Sequence, residues 1–145
     1  MSDAKIGARM REIALRSEFW DELADCGWLD GGCRIYAEAA TAYLGPTASI
    51  AYVIAEGATY GPIVDHAVVI AGEWVFDGDG ATPLESFLAT YAGREGRAEA
   101  ILELLDADDV ADDPQLRHQA RELPENSSLS QRLATAWRNE LRDPQ

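Results

Sequence analysis

Cations are scarce in this 145-residue chain: 12 lysines and arginines stand against 26 aspartates and glutamates, a formal net charge of −14 at pH 7. That balance opposes binding to nucleic acid, whose phosphates are met by clusters of Lys and Arg. It suits solubility, a basic partner surface, or mimicry of a nucleic-acid surface. Long apolar runs are missing too. None approaches the ~20 residues that cross a bilayer, so no membrane association is expected. The first seven residues are polar and lack the basic-then-apolar plan of a secretion signal, which makes the cytoplasm the expected compartment. Cysteines number two, as do histidines. Cys26 and Cys33 are expected to be reduced in that compartment. Their spacing lacks the Cys-x2–4-Cys pattern of structural zinc sites, and neither a metal nor another cofactor is expected. A zinc set of both cysteines with His66 and an aspartate, and a Cys26–Cys33 disulfide, are the minor alternatives.

The rest of the composition is that of an ordinary globular protein. Apolar residues make up 47% of the chain, and the length suffices for a core without disulfide or metal staples. One domain over 1–145 is expected, without internal repeats. Ile6, Met10, Ile13, Trp20 and Leu23 share one face of an amphipathic helix over 5–24. A core over 26–92 follows. It starts with a turn and a helix over 32–44, with Asp30 a candidate N-cap and Gly45-Pro46 the stop. The run 49–55 is apolar on both faces and reads as a buried strand. After a loop over 56–62, strands over 66–71 and 74–77 are joined by Gly72-Glu73, a hairpin turn of type II′ character. Thr82-Pro83-Leu84-Glu85 reads as a capping box with proline at the first helical position, opening a helix that ends near Tyr91. Residues 94–145 are expected as a helical extension that covers the sheet or meets a partner. Its parts are a helix over 97–105, a solvated acidic loop over 106–113, a short helix over 114–123 and a last helix striped by Leu129, Leu133, Trp137 and Leu141.

Chemistry concentrates at Gly31-Gly32-Cys33. Two glycines deliver a cysteine to the first turn of a helix, where unpartnered N–H groups and the peptide dipoles favour a thiolate. Thirty residues downstream, the hairpin supplies a base. If Gly72-Glu73 is a two-residue turn, Ala71 pairs with Trp74, Val68 opposes Asp77 and His66 opposes Asp79. Residues 66, 68 and 70 then share a face with 75, 77 and 79. Either Asp77, on the diagonal, or Asp79, directly across, orients the imidazole, and the register decides between them. The backbone N–H of Cys33 is one oxyanion donor, and the Trp28 indole N–H is a candidate second. The alternative for Trp28 is an apolar anchor of the turn. His118 lies in a polar helix and reads as a surface residue.

Gly-Gly-Cys at a helix start, Asp65-His66-Ala67-Val68-Val69 on one strand and Glu73-Trp74-Val75-Phe76-Asp77 on the next resemble the transglutaminase-like branch of the papain-like fold over residues 30–80. The resemblance implies an α+β fold, with a cysteine-bearing helix packed on a small antiparallel sheet and extra C-terminal helices. It also implies that Cys33 is the nucleophile, His66 the base and Asp77 the residue that orients it. The pattern departs from the family in several places. His66 and Asp77 stand eleven residues apart, Val68 replaces a tryptophan, Gly78 follows the aspartate where proline is common, and no glutamine precedes Cys33. The expected activity is cysteine-dependent acyl transfer on an amide or thioester bond, as in a protease, amidase, deamidase or transglutaminase, on a protein or peptide substrate. The competing expectation is a non-catalytic acidic interaction or inhibitor protein that binds a basic partner surface.

Overall fold

The structure, a computed structural model, describes residues 2–23, 26–57, 60–97 and 100–141. It is an α+β protein built on one five-stranded antiparallel sheet. The strands are β1 (Ala48–Gly57), β2 (Tyr60–Ala71), β3 (Trp74–Asp77), β4 (Gly80–Pro83) and β5 (Ile101–Asp106), in the spatial order β4-β3-β2-β1-β5. The central run Ile50-Ala51-Tyr52-Val53-Ile54-Ala55 is apolar because both of its faces are covered. Ile50 and Tyr52 face the helix α3 (Cys33–Leu44), together with Ala67, Val69 and Phe76 of the neighbouring strands. Ala51 and Val53 face the opposite layer with Val68, Val75, and Phe87 and Tyr91 of α4 (Phe87–Glu95). On the same side of the sheet, α1 (Asp3–Ala14) packs over β4, and α7 (Ser127–Leu141) packs against α3 and α1, burying Leu129, Leu133 and Trp137 as its apolar stripe requires. No helix among the described residues is long and apolar enough to cross a membrane.

The β2–β3 turn has the expected register: Ala71 pairs with Trp74, Ile70 with Val75 and Val69 with Phe76. Gly72 takes a φ of 61°, which a two-residue hairpin turn demands at its first central position. Further back, Val53 opposes His66 while Ile54 opposes Val64, so Asp65 is the extra residue of a bulge. A bulge shifts the alternation of side chains along its strand, and here it does so one residue before the histidine.

Four expectations are corrected. The helix expected over 5–24 stops at Ala14, and a single turn, α2 (Ser17–Trp20), follows Arg16, whose backbone is extended. Two indoles hold α1 by its carbonyls: Trp28 donates to Ala14 over 2.7 Å and Trp137 to Met10 over 3.0 Å. The expected helix over 97–105 is instead β5, so the segment after 94 is not purely helical. Leu102 and Leu104 pack inward while Ile101 is 73% exposed, a period-two pattern that lets this strand cover the open edge of β1. The acidic run is not a loop. Asp106 caps α5 (Ala107–Asp112) by accepting from the Asp109 N–H, and Asp113 caps α6 (Pro114–Glu122) by accepting from Gln115 and Leu116. The capping-box pattern at Thr82 does not cap a helix, because Thr82 opposes Val75 in β4; a 3-10 turn over Leu84–Ser86 leads into α4 at Phe87.

The layers meet most closely where α1 crosses β4. A Cβ added to Gly7 would lie 2.4 Å from the Ala81 backbone nitrogen. Gly7→Ala is therefore expected to cost about 1–3 kcal/mol through overpacking. Urea denaturation checks this: the midpoint falls while the slope stays constant. An unchanged midpoint would mean that α1 is not seated on β4.

Candidate active site

Cys33 opens α3. Gly32 precedes it as the N-cap residue, and no side chain caps the helix. Asp30, expected in that role, is used differently. Its backbone pairs with Gly27 in both directions, at 3.1 and 3.2 Å, and the Gly32 N–H also donates to the Gly27 carbonyl at 2.9 Å. That closed loop explains both glycines. Gly31 has a φ of 96°, and a Cβ on Gly32 would lie 2.8 Å from the Gly27 oxygen. The result is a cysteine fixed at a helix N-terminus whose first-turn N–H groups have no intrahelical acceptor.

The sulfur meets the sheet beside the bulge. The Ala67 N–H of β2 donates to Cys33 Sγ at 3.4 Å, and Cys33 acts electrostatically on the ring of the adjacent His66. His66 Nε2 lies 3.0 Å from Asp77 Oδ2. The aspartate is held from three directions. Its Oδ1 accepts the Asp79 N–H at 2.9 Å, and its Oδ2 accepts both from His66 and from Arg94 Nη2, the latter at 3.1 Å. The imidazole stacks on Tyr91, with ring centroids 5.4 Å apart. Cys33, His66 and Asp77 are 4%, 1% and 3% exposed, so water competes little for these bonds.

Burial disfavours the imidazolium, but the hydrogen bond from His66 to Asp77 and the interaction with Cys33 outweigh it and push the histidine up to about 9. Burial likewise works against the Asp77 carboxylate. The hydrogen bond and charge of His66, followed by Arg94 and the Asp79 N–H, hold its pKa below the usual value. The pair is thus poised as imidazolium and carboxylate at neutral pH.

The three residues singled out first come together; the two secondary candidates do not join them. Asp79 is turned away because the chain reverses immediately after β3, with Asp77 paired to Gly80. Its carboxylate lies 3.5 Å from Arg94 and 4.0 Å from Arg11, at the rim. Trp28 is 2% exposed, and its indole N–H is spent on the Ala14 carbonyl, so it is the anchor of the turn and not an oxyanion donor. Its ring meets Tyr36 edge-on at 5.6 Å, and its Cβ abuts Gly78, where a side chain would collide at 2.7 Å. That close approach leaves room only for glycine at position 78.

Sequence reasoning missed Tyr91, Arg94 and Arg97, which sit at or beyond the expected end of their helix. The Arg94 guanidinium lies over the Tyr91 ring at 5.2 Å, and the Tyr91 hydroxyl donates to the bulged Asp65. Asp65 also accepts from Arg97, at 2.7 and 3.2 Å. The signal was the i, i+3 spacing of Tyr91 and Arg94, which places both on one face of a continued helix. Compared with known proteins, the chain matches no family model, no curated protein and no solved structure.

A histidine raised from its ordinary 6.5 to about 9 stabilises the fold fully below pH 6.5, and that contribution is lost as the pH rises through about 9. Asp77 acts oppositely, its contribution being lost as the pH falls below the ordinary carboxylate range. Denaturation at pH 7 and pH 10 should differ by roughly 2–3 kcal/mol, most of the worth of such a histidine shift. NMR titration should find His66 near 9 in the native protein and more than about one unit lower in Asp77→Asn, where a charged partner is replaced by a neutral one. A His66 that titrates at its ordinary value would refute the paired geometry.

Proposed function

We propose that this protein is a cysteine-dependent acyl-transfer enzyme with a papain-like, transglutaminase-like arrangement, acting in the cytoplasm on an amide or thioester of a protein or peptide. The observation that carries this reading is the buried chain of contacts from the Cys33 thiol through the His66 ring to Asp77, with 3.0 Å between Nε2 and Oδ2. The Cys33 thiolate attacks the acyl carbonyl and forms a carbon–sulfur bond. The tetrahedral intermediate collapses as His66 gives its proton to the leaving amine or thiol. Water or an amine then attacks the thioester, His66 takes its proton, and the thiolate is released. Asp77 stays ionised throughout; it fixes the ring and stabilises the imidazolium. The Cys33 N–H at the start of α3, which lacks an intrahelical acceptor, donates to the developing oxyanion. Water as acceptor makes the enzyme a protease, amidase or deamidase; an amine makes it a transglutaminase.

A second reading, a non-catalytic acidic protein that covers a basic partner surface, draws on the net charge of −14 and on the burial of the sulfur. Alkylation separates the two. With iodoacetamide at pH 6–7, Cys33 should react at least about tenfold faster than a thiol of ordinary pKa ~8.5. His66→Ala should remove that excess. Charge reversal of Asp108, Asp109 and Asp112 should leave it in place. Reactivity no greater than that of an ordinary thiol would overturn the enzymatic reading.

A further inference from the structure

A cavity of about 180 Å³ is lined by Arg34, the residue that follows Cys33, together with Tyr52, Val110, Arg117, Ala120 and Arg121. Three arginines around one small cavity are unexpected in a chain where acids outnumber bases by 26 to 12. Moreover, two of the three lack a counter-charge. Among the described residues, neither Arg117 nor Arg121 enters an ion pair; Arg117 donates only to the Ala111 carbonyl, at 3.0 Å. The acidic run nearby does not neutralise them, because Asp106 and Asp113 turn their carboxylates to helix N-termini.

Arg34 is fixed as a wall of the cavity. It bonds the Leu123 carbonyl at 3.2 Å and pairs with Glu38 and Glu125 at 3.4 and 3.0 Å. Tyr52 is half-buried and stays protonated, since burial opposes its ionisation more than Arg34 favours it, and Glu38 and Cys33 oppose it further. Its hydroxyl has no hydrogen-bond partner among the described residues, so a donor remains available at the cavity wall. The link to the nucleophile is short. Arg34 follows Cys33 on α3, and Tyr52 pairs across the sheet with Ala67, whose N–H donates to the sulfur.

We infer that this cavity is a carboxylate-binding subsite next to the nucleophile, so that the acyl substrate carries a carboxylate within a few bonds of the scissile carbonyl. Guanidinium groups bind carboxylates through paired N–H donors. The alanine and valine walls contributed by α5 and α6 suit the methylene stem of such a group rather than a bare inorganic ion. The volume admits a short acidic side chain and no folded segment. The inference rests on the acyl-transfer reading for its placement beside Cys33, but anion binding is measurable without any reaction.

Two arms test it. In the first, site-resolved mass spectrometry follows Cys33 alkylation by iodoacetate and by iodoacetamide. A thiol in a protein of charge −14 should disfavour the anionic reagent. Here the iodoacetate-to-iodoacetamide ratio at Cys33 is expected to exceed that at Cys26 and to fall about threefold in Arg117→Gln and again in Arg121→Gln. Arg9→Gln, which changes the net charge equally at an exposed surface pair, controls for the general field. In the second arm, Cys33→Ser protein is titrated with succinate against sodium chloride of equal ionic strength. A saturable rise in melting temperature is expected, lost in the Arg117→Gln/Arg121→Gln double variant. If Cys33 proves inert to both reagents, the acyl-transfer reading fails and the succinate arm alone decides the subsite. If succinate gives no saturable shift, or the double variant keeps it, the subsite is refuted whatever the reactivity of Cys33.

Discussion

A buried imidazole and a buried carboxylate 3.0 Å apart set the terms on which the rest of this protein is assembled. Neither ion tolerates that environment alone, because an uncompensated buried charge is strongly destabilising. Each element around the pair supplies a compensation. The reversal after β3 brings the Asp79 N–H back onto Asp77, the end of α4 brings Arg94, and the bulge at Asp65 aims His66 toward its partner. Tyr91 ties these together, stacking on the imidazole, lying under Arg94 and bonding Asp65.

The helix that carries Cys33 faces a different constraint. Its N-terminus must reach the backbone of β2 closely enough for the Ala67 N–H to touch the sulfur. Ala37, Ala39 and Ala40, all buried with almost no exposure, keep that helix close to its neighbours. Gly32 removes the side chain that would push the preceding loop away. Farther along, the Ser130 hydroxyl of α7 donates to the Ile35 carbonyl at 2.9 Å, while Trp137 packs against Tyr36 and Tyr43. The C-terminal third is thus a buttress for the helix that carries Cys33, and through α5 and α6 it also completes the arginine-lined cavity.

Legibility in the sequence followed the range of the interactions. The Gly72-Glu73 hairpin, the doubly apolar β1 and the Cys33 helix rest on local periodicity and turn chemistry, and all three are present. The choice between Asp77 and Asp79 was open because it depended on where β3 ends, and β4, which decides that, was hidden by a capping-box pattern at Thr82. The segment with Leu102 and Leu104 fits a strand as well as a helix. Only the unpaired edge of β1 settles it, and an edge is a tertiary fact. Arg94 was invisible for the same reason, since its role exists only once α4 crosses the sheet above His66. The two roles open to Trp28, oxyanion donor or anchor of the turn, separate only once the first helix ends at Ala14, whose carbonyl then accepts the indole N–H.

The most direct test of the central claim is capture of the acyl-enzyme. The native protein is treated with a small activated thioester, and the adduct is located by intact and peptide mass spectrometry. The account predicts one acyl group per chain, on the peptide containing Cys33, released by hydroxylamine and absent from His66→Ala. An adduct spread equally over Cys26 and Cys33, or one that forms undiminished without His66, would contradict it.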